Sequence, residues 1–410
     1  MPDVQQDIVS TLVAKADGMF RWAVCQLDSL SGCRNKVALQ KALSSLPKAL
    51  DETYSQILDN INEEDIEEAL RMLEWVVYST EPLRLEGLAE VLTIDMEANP
   101  PHFDSDRHLP NPRDILDICS TLITTVISDL HEGFEYVRLA HFSVQEYLVS
   151  ERFPHKRMCT RWSMQAVPAN ISMAEACLAY LLQFEPGTSL VGEGKTSPLI
   201  HQVILRWREY ARIAELNGPT KLHRLIMEFF SSAAYTMWKK SQLYEYLPPF
   251  HYAAYFRLTE TAKLLLKMGV DVHARSEDMG NALSFASEYG LENIEITRLL
   301  IDYGIDVNVA GPSGRTPLHA ACRRGELGTV LLLIANGVGI NAPVRRFVDR
   351  NALLIACFWG HLDIVQALLE NGANINAQGG CHGNALIVAS LRGYFGIVRL
   401  LIEKEVDINT

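Results

Sequence analysis

From residue 51 to residue 154 the chain contains no lysine. Six arginines there face 23 aspartates and glutamates, a balance of −17. A surface of that charge repels phosphate backbones, so no nucleic-acid partner is expected. No run of about 18 apolar residues occurs, so no membrane span is expected. The amino terminus, Met1-Pro2-Asp3-Val4-Gln5-Gln6-Asp7, lacks the basic-then-apolar order of a secretory leader. The eight cysteines, at positions 25, 33, 119, 159, 177, 322, 357 and 381, include no C-x-x-C pair. Their scatter argues against a zinc or disulfide framework and fits a reducing, intracellular setting, with the cytoplasm as the expected compartment.

Two catalytic signatures are missing as well. The nearest approach to a phosphate-binding loop is Gly192-Glu193-Gly194-Lys195-Thr196. A Walker A loop needs glycine five positions before its second glycine, and Ser189 stands there. Pro198 follows where the helix of such a loop should begin. No G-x-S-x-G nucleophile elbow is present, because Gly311-Pro312-Ser313-Gly314 lacks the spacing. The chain by itself is expected to be non-catalytic, with no cofactor and no metal.

What is present is globular: 48% of the 410 residues are apolar and 21% charged. A chain of that length is expected to form two to four domains. Its last third repeats itself. Five leader segments start at Pro249-Phe250-His251, Asn281-Ala282-Leu283, Thr316-Pro317-Leu318-His319, Asn351-Ala352-Leu353 and Asn384-Ala385-Leu386. Their anchors Phe250, Leu283, Leu318, Leu353 and Leu386 lie 33, 35, 35 and 33 positions apart. Each copy closes on an echo such as Gly269-Val270-Asp271-Val272-His273 or Gly304-Ile305-Asp306-Val307-Asn308, where glycine suits a helix end with φ above zero. Apolar residues between leader and closer return at helical spacing, as in Ile364, Val365, Leu368 and Leu369. This period and the T-P-L-H-x-A leader resemble the ankyrin repeat, a helix pair that buries its apolar faces only by stacking on neighbours. Cys322 and Cys357 share a slot held elsewhere by Ala254, Ser287 and Ser390, so both are expected to be small packing residues.

The array departs from its own pattern in three places. Two extra residues fall around Leu291-Glu292-Asn293, and two more within 343–350. In the fifth copy Glu405 stands where the closing glycine belongs. Its second helix has no polar capping face, so Ile397, Val398, Leu400, Leu401 and Ile402 are expected to lie open. The reading is a truncated array; the alternative is a frayed end repeat.

The first half alternates helical patterns with breakers. Residues 11–46 read as helical, and Asp51 can cap a helix carrying Tyr54, Ile57, Leu58 and Ile61. Asn62-Glu63-Glu64-Asp65 signals another start, and Pro82 stops that helix. A short helix follows around 85–92, then a Pro-rich loop from Asn99 to Pro112 and a helix around 114–119. Residues 124–128 and 136–139 read as a hairpin, and Ser143-Val144-Gln145-Glu146 as a capping box opening the last helix. Helices and a hairpin in this order resemble a winged helix. Helices are also expected at 173–184, 200–216 and 222–237, with Trp162, Trp207 and Trp238 in the core.

Four stretches carry a closer resemblance: Ala16-Asp17-Gly18-Met19-Phe20-Arg21-Trp22-Ala23, Leu46-Pro47-Lys48-Ala49-Leu50-Asp51, Pro82-Leu83-Arg84-Leu85-Glu86 and His141-Phe142-Ser143-Val144-Gln145-Glu146-Tyr147-Leu148. They resemble fungal NLR-like proteins of the STAND class, in which a NACHT ATPase precedes a winged helix of the GPI inositol-deacylase type and ankyrin repeats. The resemblance implies a signalling or surveillance role in which the repeats sense a ligand and control the ATPase. Without a P-loop, the NACHT module would lie upstream of Met1.

The expected architecture is therefore mostly α: a helical region and winged helix followed by an α-solenoid of ankyrin repeats. The divisions are a helical segment at 1–50, the winged helix at 51–155, a helical spacer at 156–245 and five repeats at 246–410. The expected partner is a protein on the ankyrin groove, with intramolecular or intermolecular contact to a NACHT module. The alternatives are the regulatory part of a STAND ATPase acting with a separate NACHT module, and a stand-alone ankyrin adaptor. One residue near the end of each first helix gives the candidate partner-binding stripe: Phe256, Tyr289, Arg324, Trp359 and Arg392, of types enriched at interface hot spots. The alternative for these residues is packing against neighbouring helices. His251 and His319 in the leaders, and His141, are expected to be structural.

Overall fold

The computed structural model describes residues 8–13, 16, 20–31, 33, 35–44, 46–47, 49–119, 121–127, 133–150, 159–184, 198–215, 221–240, 247–275, 280–289, 294–311, 314–344, 351–379 and 383–407. The glycine-rich decoy at 192–196 and both two-residue insertions lie outside these residues, apart from 343–344 at the edge of the second. The chain is mostly helical and divides into two compact units, 1–214 and 215–410.

The first unit opens with helices α1 (Phe20–Ser31), α2 (Lys36–Ser44) and α3 (Leu50–Asp59). Trp22 is buried with Leu12 and Leu30, and its indole Nε1–H donates to the Pro47 carbonyl at 3.0 Å. Helix α3 starts one residue before Asp51, which lies in the first turn without capping it; there its charge still favours the positive helix end. Helix α4 (Ile66–Tyr78) buries Met72, Leu73, Trp75 and Val77, and carries Glu67 and Glu68 in its first turn. Strand β1 (Leu83–Arg84) leads into α5 (Leu85–Val91); β2 (Ile94–Asp95) pairs with β3 (His102–Phe103). After the short α6 (Ile115–Ile118), the expected hairpin forms from β4 (Ile123–Ile127) and β5 (Glu135–Leu139). The main sheet has the antiparallel order β1-β5-β4, with Val137 opposite both Leu83 and Thr125.

Helix α7 (Phe142–Val149) corrects the expected capping box. Its cap is His141, whose Nδ1 accepts the Ser143 N–H at 3.2 Å. Ser143 is already in the first turn, and its hydroxyl bonds His141 Nδ1 at 2.6 Å and the Tyr54 hydroxyl at 2.8 Å. The cap thus lies two residues before the expected one, and the imidazole serves the Ser143 amide, one of the free donors of the first turn. Helix α8 (Ala166–Leu182) is buried on nearly all sides, as its uniformly apolar run requires. It packs against α4 and α9 (Ile200–Ala214), and Trp75 meets Tyr210 edge-on at 5.9 Å.

The second unit begins with two helices where one was expected, α10 (Lys221–Ser231) and α11 (Ala233–Lys240), separated at Ser232. Phe229, Tyr235 and Trp238 form an aromatic cluster that meets Tyr252. Five helix pairs follow: α12 (Pro249–Tyr255) with α13 (Thr259–Lys267), α14 (Ala282–Tyr289) with α15 (Ile294–Asp302), α16 (Pro317–Arg324) with α17 (Leu327–Ala335), α18 (Ala352–Trp359) with α19 (Leu362–Glu370), and α20 (Ala385–Arg392) with α21 (Phe395–Glu403). First helices stack on first helices and second on second, giving two layers. The small leader residues Ala320, Ala321, Ala356 and Ala389 are fully buried between first helices. Cys322 and Cys357 are buried too, and burial pushes the Cys357 thiol up to about 12.

Asparagines cap first helices, and a second set forms a ladder from repeat to repeat. Asn351 and Asn384 cap α18 and α20 by accepting the amides of Leu354 and Ile387 at 2.9 and 3.0 Å. Asn308, Asn341 and Asn376 accept the amides of Gly339, Asn374 and Asp407 in the next repeat, at 2.7, 2.8 and 2.8 Å. At the end of α18 close approach requires glycine: a Cβ on Gly360 would come within 2.6 Å of the Tyr394 ring.

The fifth repeat is better covered than expected. Ile397 and Leu401 are buried against their own repeat and its neighbour, Val398 and Leu400 are half-buried, and only Ile402 of the five is open. The helix turns its apolar side inward because it stacks on α19 as every other second helix does. Glu405 adopts φ +61°, the left-handed conformation of the glycine it replaces. Arg257 does the same at φ +63°, in the slot held by Gly325, Gly360 and Gly393. A side chain in that region costs about 1 kcal/mol or more. Arg257→Gly and Glu405→Gly are each expected to raise the unfolding free energy by about 1 kcal/mol, measured by urea titration.

Candidate functional site

The stripe residues part company once the helices stack. Phe256, at the end of α12, is buried rather than displayed; its ring lies 6.3 Å from Trp238 and 5.8 Å from Tyr252. The aromatic cluster around α11 covers the first repeat and takes Phe256 into its core. Tyr289 ends α14, and its side chain lies outside the described residues. Arg324 ends α16 and is half-buried. Trp359 ends α18 and remains 50% exposed, which is unusual for so large an apolar ring. Arg392 ends α20 and is exposed.

Stacking brings Arg392 onto the preceding repeat. Its guanidinium lies 3.7 Å from the centroid of the Phe358 ring, a cation–π contact of about 0.5–1 kcal/mol at such an exposed place. Phe358 in turn meets Trp359 edge-on at 5.7 Å. Trp359 therefore stands on a surface whose neighbours are held in place, so little side-chain entropy is left to lose on binding. Leu391, beside Arg392, is 73% exposed, and Phe395 is 83% exposed. Slot comparison could have added Leu391, because it holds the position of Phe358 33 residues earlier.

Two of the strongly shifted titratable groups, His319 and Glu215, are held by hydrogen bonds to the framework. His319 accepts the Thr316 N–H at Nδ1 (3.2 Å), and its Nε2–H donates to the Ala342 carbonyl at 2.8 Å. Burial pushes its pKa down to about 4, partly opposed by the Ala342 bond. His251 is equally buried, and burial pushes it down to about 4. Glu215 is the residue that sequence reasoning missed. Its buried carboxylate accepts the amides of Glu260 and Thr261, each at 3.0 Å, and the Thr261 hydroxyl. Burial pushes it up to about 7 against those hydrogen bonds. In the first unit a cleft of about 210 Å³ is lined by Glu86, Glu90 and His108, but Glu90 is already held by the Tyr180 hydroxyl and the Leu199 amide. Among the described residues no group of three or more His, Cys, Asp or Glu could hold a metal ion. Among them, too, no helix is long and apolar enough to cross a membrane.

Comparison with known proteins matches this geometry in two regions. Residues 250–344 and 343–410 match the family model of ankyrin repeats, and residues 61–157 match that of the GPI inositol-deacylase winged helix domain. The chain is also similar to the azaphilone pigments biosynthesis cluster protein L of Monascus ruber, 30% identical over 300 residues. That alignment covers 66% of this chain and 63% of the Monascus protein, so the chain spans less than two thirds of its relative. Ankyrin repeats suggest a protein-interaction module and a protein partner.

Proposed function

We propose that this chain is a non-catalytic interaction module of a NACHT- or STAND-type signalling protein, and that its repeats bind a protein partner through the first-helix layer. The observation that carries the reading is Trp359, half-exposed on a surface made firm by the Arg392–Phe358 stack. Tyr289, Arg324 and Arg392 share its position at the ends of first helices, and Phe256 contributes by packing. The shifted groups Glu215 and His319 are spent on backbone hydrogen bonds, which supports a framework role for them. In this reading residues 1–50 follow a NACHT module, 51–155 form the winged helix, 156–245 a helical spacer and 246–410 the repeats. The proposed location is intracellular. A second reading, favoured by the Monascus relative, is a partner-binding adaptor serving a biosynthesis cluster.

Trp359→Ala is expected to weaken capture of the cellular partner by about tenfold or more while leaving the melting temperature within about 2 °C. A large fall in melting temperature would place Trp359 in the core instead. Purified chain should show no ATP turnover; clear turnover that survives repurification would overturn the non-catalytic reading.

A further inference from the structure

Charge is segregated between the two layers of the repeat array. In repeats three to five, the described residues of the loops and first helices carry four arginines, Arg315, Arg323, Arg324 and Arg392. They carry one carboxylate, Asp306, which is ion-paired with Arg275 at 3.1 Å. The second helices and their ends, at 326–335, 361–370 and 394–405, carry five carboxylates, Glu326 among them buried, against two cations, one of which, Arg399, pairs with Glu403 at 2.8 Å. First helices stack on first helices along the array and pack on their own second helices from one side, which leaves the arginine-bearing ends of α16 and α20 on the first-helix layer. The domain's near-balance of 14 basic and 16 acidic side chains over 246–410 conceals this.

We infer that the first-helix face of repeats three to five takes an acidic peptide segment, one that seats an aromatic or aliphatic residue against Trp359. The inference rests on the proposal that this face is the binding face, and adds the partner's chemistry. Charge complementarity selects the sign: arginines at the ends of α16 and α20 flank Trp359, at the end of the intervening α18. Arginine suits carboxylates because its fork presents paired donors. The exposed Trp359 and Leu391 between the cations favour a peptide over a nucleic acid, whose phosphates would also meet a chain of net charge −13.

The test is selection of random peptides about 16 residues long from a display library on the immobilised full chain, at about 50 mM salt. The expected peptides are enriched in Asp and Glu around an aromatic residue or leucine. A synthetic representative should lose about tenfold or more in affinity to the Arg323→Gln/Arg324→Gln/Arg392→Gln variant, and similarly on raising salt to about 300 mM. The melting temperature of each variant shows that it still folds. Peptides without acidic enrichment that still require Trp359 would sink the acidic inference and leave the binding face standing. Peptides indifferent to both Trp359→Ala and the triple variant would sink both. An empty selection, or displacement of the peptide by unstructured RNA at lower concentration, would also overturn the acidic-peptide assignment.

Discussion

Replacing His319 by leucine is expected to lower the unfolding free energy by about 3 kcal/mol at pH 7.5. The imidazole bridges two repeats: Nδ1 takes the Thr316 amide and Nε2–H serves the Ala342 carbonyl beyond α17. Leucine fills the space but leaves a buried donor and a buried acceptor unpaired, each costing roughly 1–3 kcal/mol. Because repeats are stabilised by their neighbours, the loss should uncouple the third and fourth and broaden the urea transition. The pH dependence has a definite sign. The folded pKa of about 4 lies below the ordinary histidine value, so the stabilisation is complete above about 6.5 and is lost as pH falls toward 4. The gap between wild type and His319→Leu should therefore narrow over that window. A gap that widens on acidification would mean that the folded imidazole is charged.

Glu215→Ala is the second large effect, expected at about 2 kcal/mol at pH 8. The carboxylate terminates the amino end of α13 by accepting the Glu260 and Thr261 amides, so alanine strands two donors. Here the pH sign is opposite. The groups facing the carboxylate are Thr261, the carboxylate of Glu260 and His223, whose Nε2 lies 3.7 Å away. Burial raises the folded pKa to about 7, so this contribution is fully present below about 4.5 and declines as pH rises through 7. The destabilisation by alanine should be larger at pH 5 than at pH 8. Equal losses at both would show that Glu215 titrates as it does in the unfolded chain. With His319 losing stability on acidification and Glu215 on alkalisation, the two measurements separate the groups cleanly.

Much of the fold was legible in local pattern. The spacing of Phe250, Leu283, Leu318, Leu353 and Leu386 announced five helix pairs, and the closing glycines announced left-handed helix ends, which Gly269, Gly304, Gly337 and Gly372 adopt. Glu405 was read as a break in the pattern, yet it takes the conformation of the glycine it replaces. The hairpin at β4 and β5 followed from β-prone runs around a polar turn. Less legible were features in which a side chain serves a distant backbone group. Ser143 had the spacing of a capping residue, but the helix starts earlier and His141 is its cap, accepting the Ser143 amide. The fifth repeat's helix looked open in isolation and is half-covered because stacking turns its apolar side inward.

The sequence by itself determined the repeat number, the period, the helix ends and the charge of each stretch, because these follow from neighbours along the chain and from backbone preferences of single residues. Only the tertiary structure decided which aromatic is surface and which is core. Phe256 and Trp359 hold equivalent slots, yet the cluster around α11 buries one while stacking leaves the other half-exposed. It also decided that Arg392 lies on Phe358 and that Glu215 caps a helix 45 residues away. Burial and hydrogen bonding across such distances depend on which surfaces meet, and no local period encodes that.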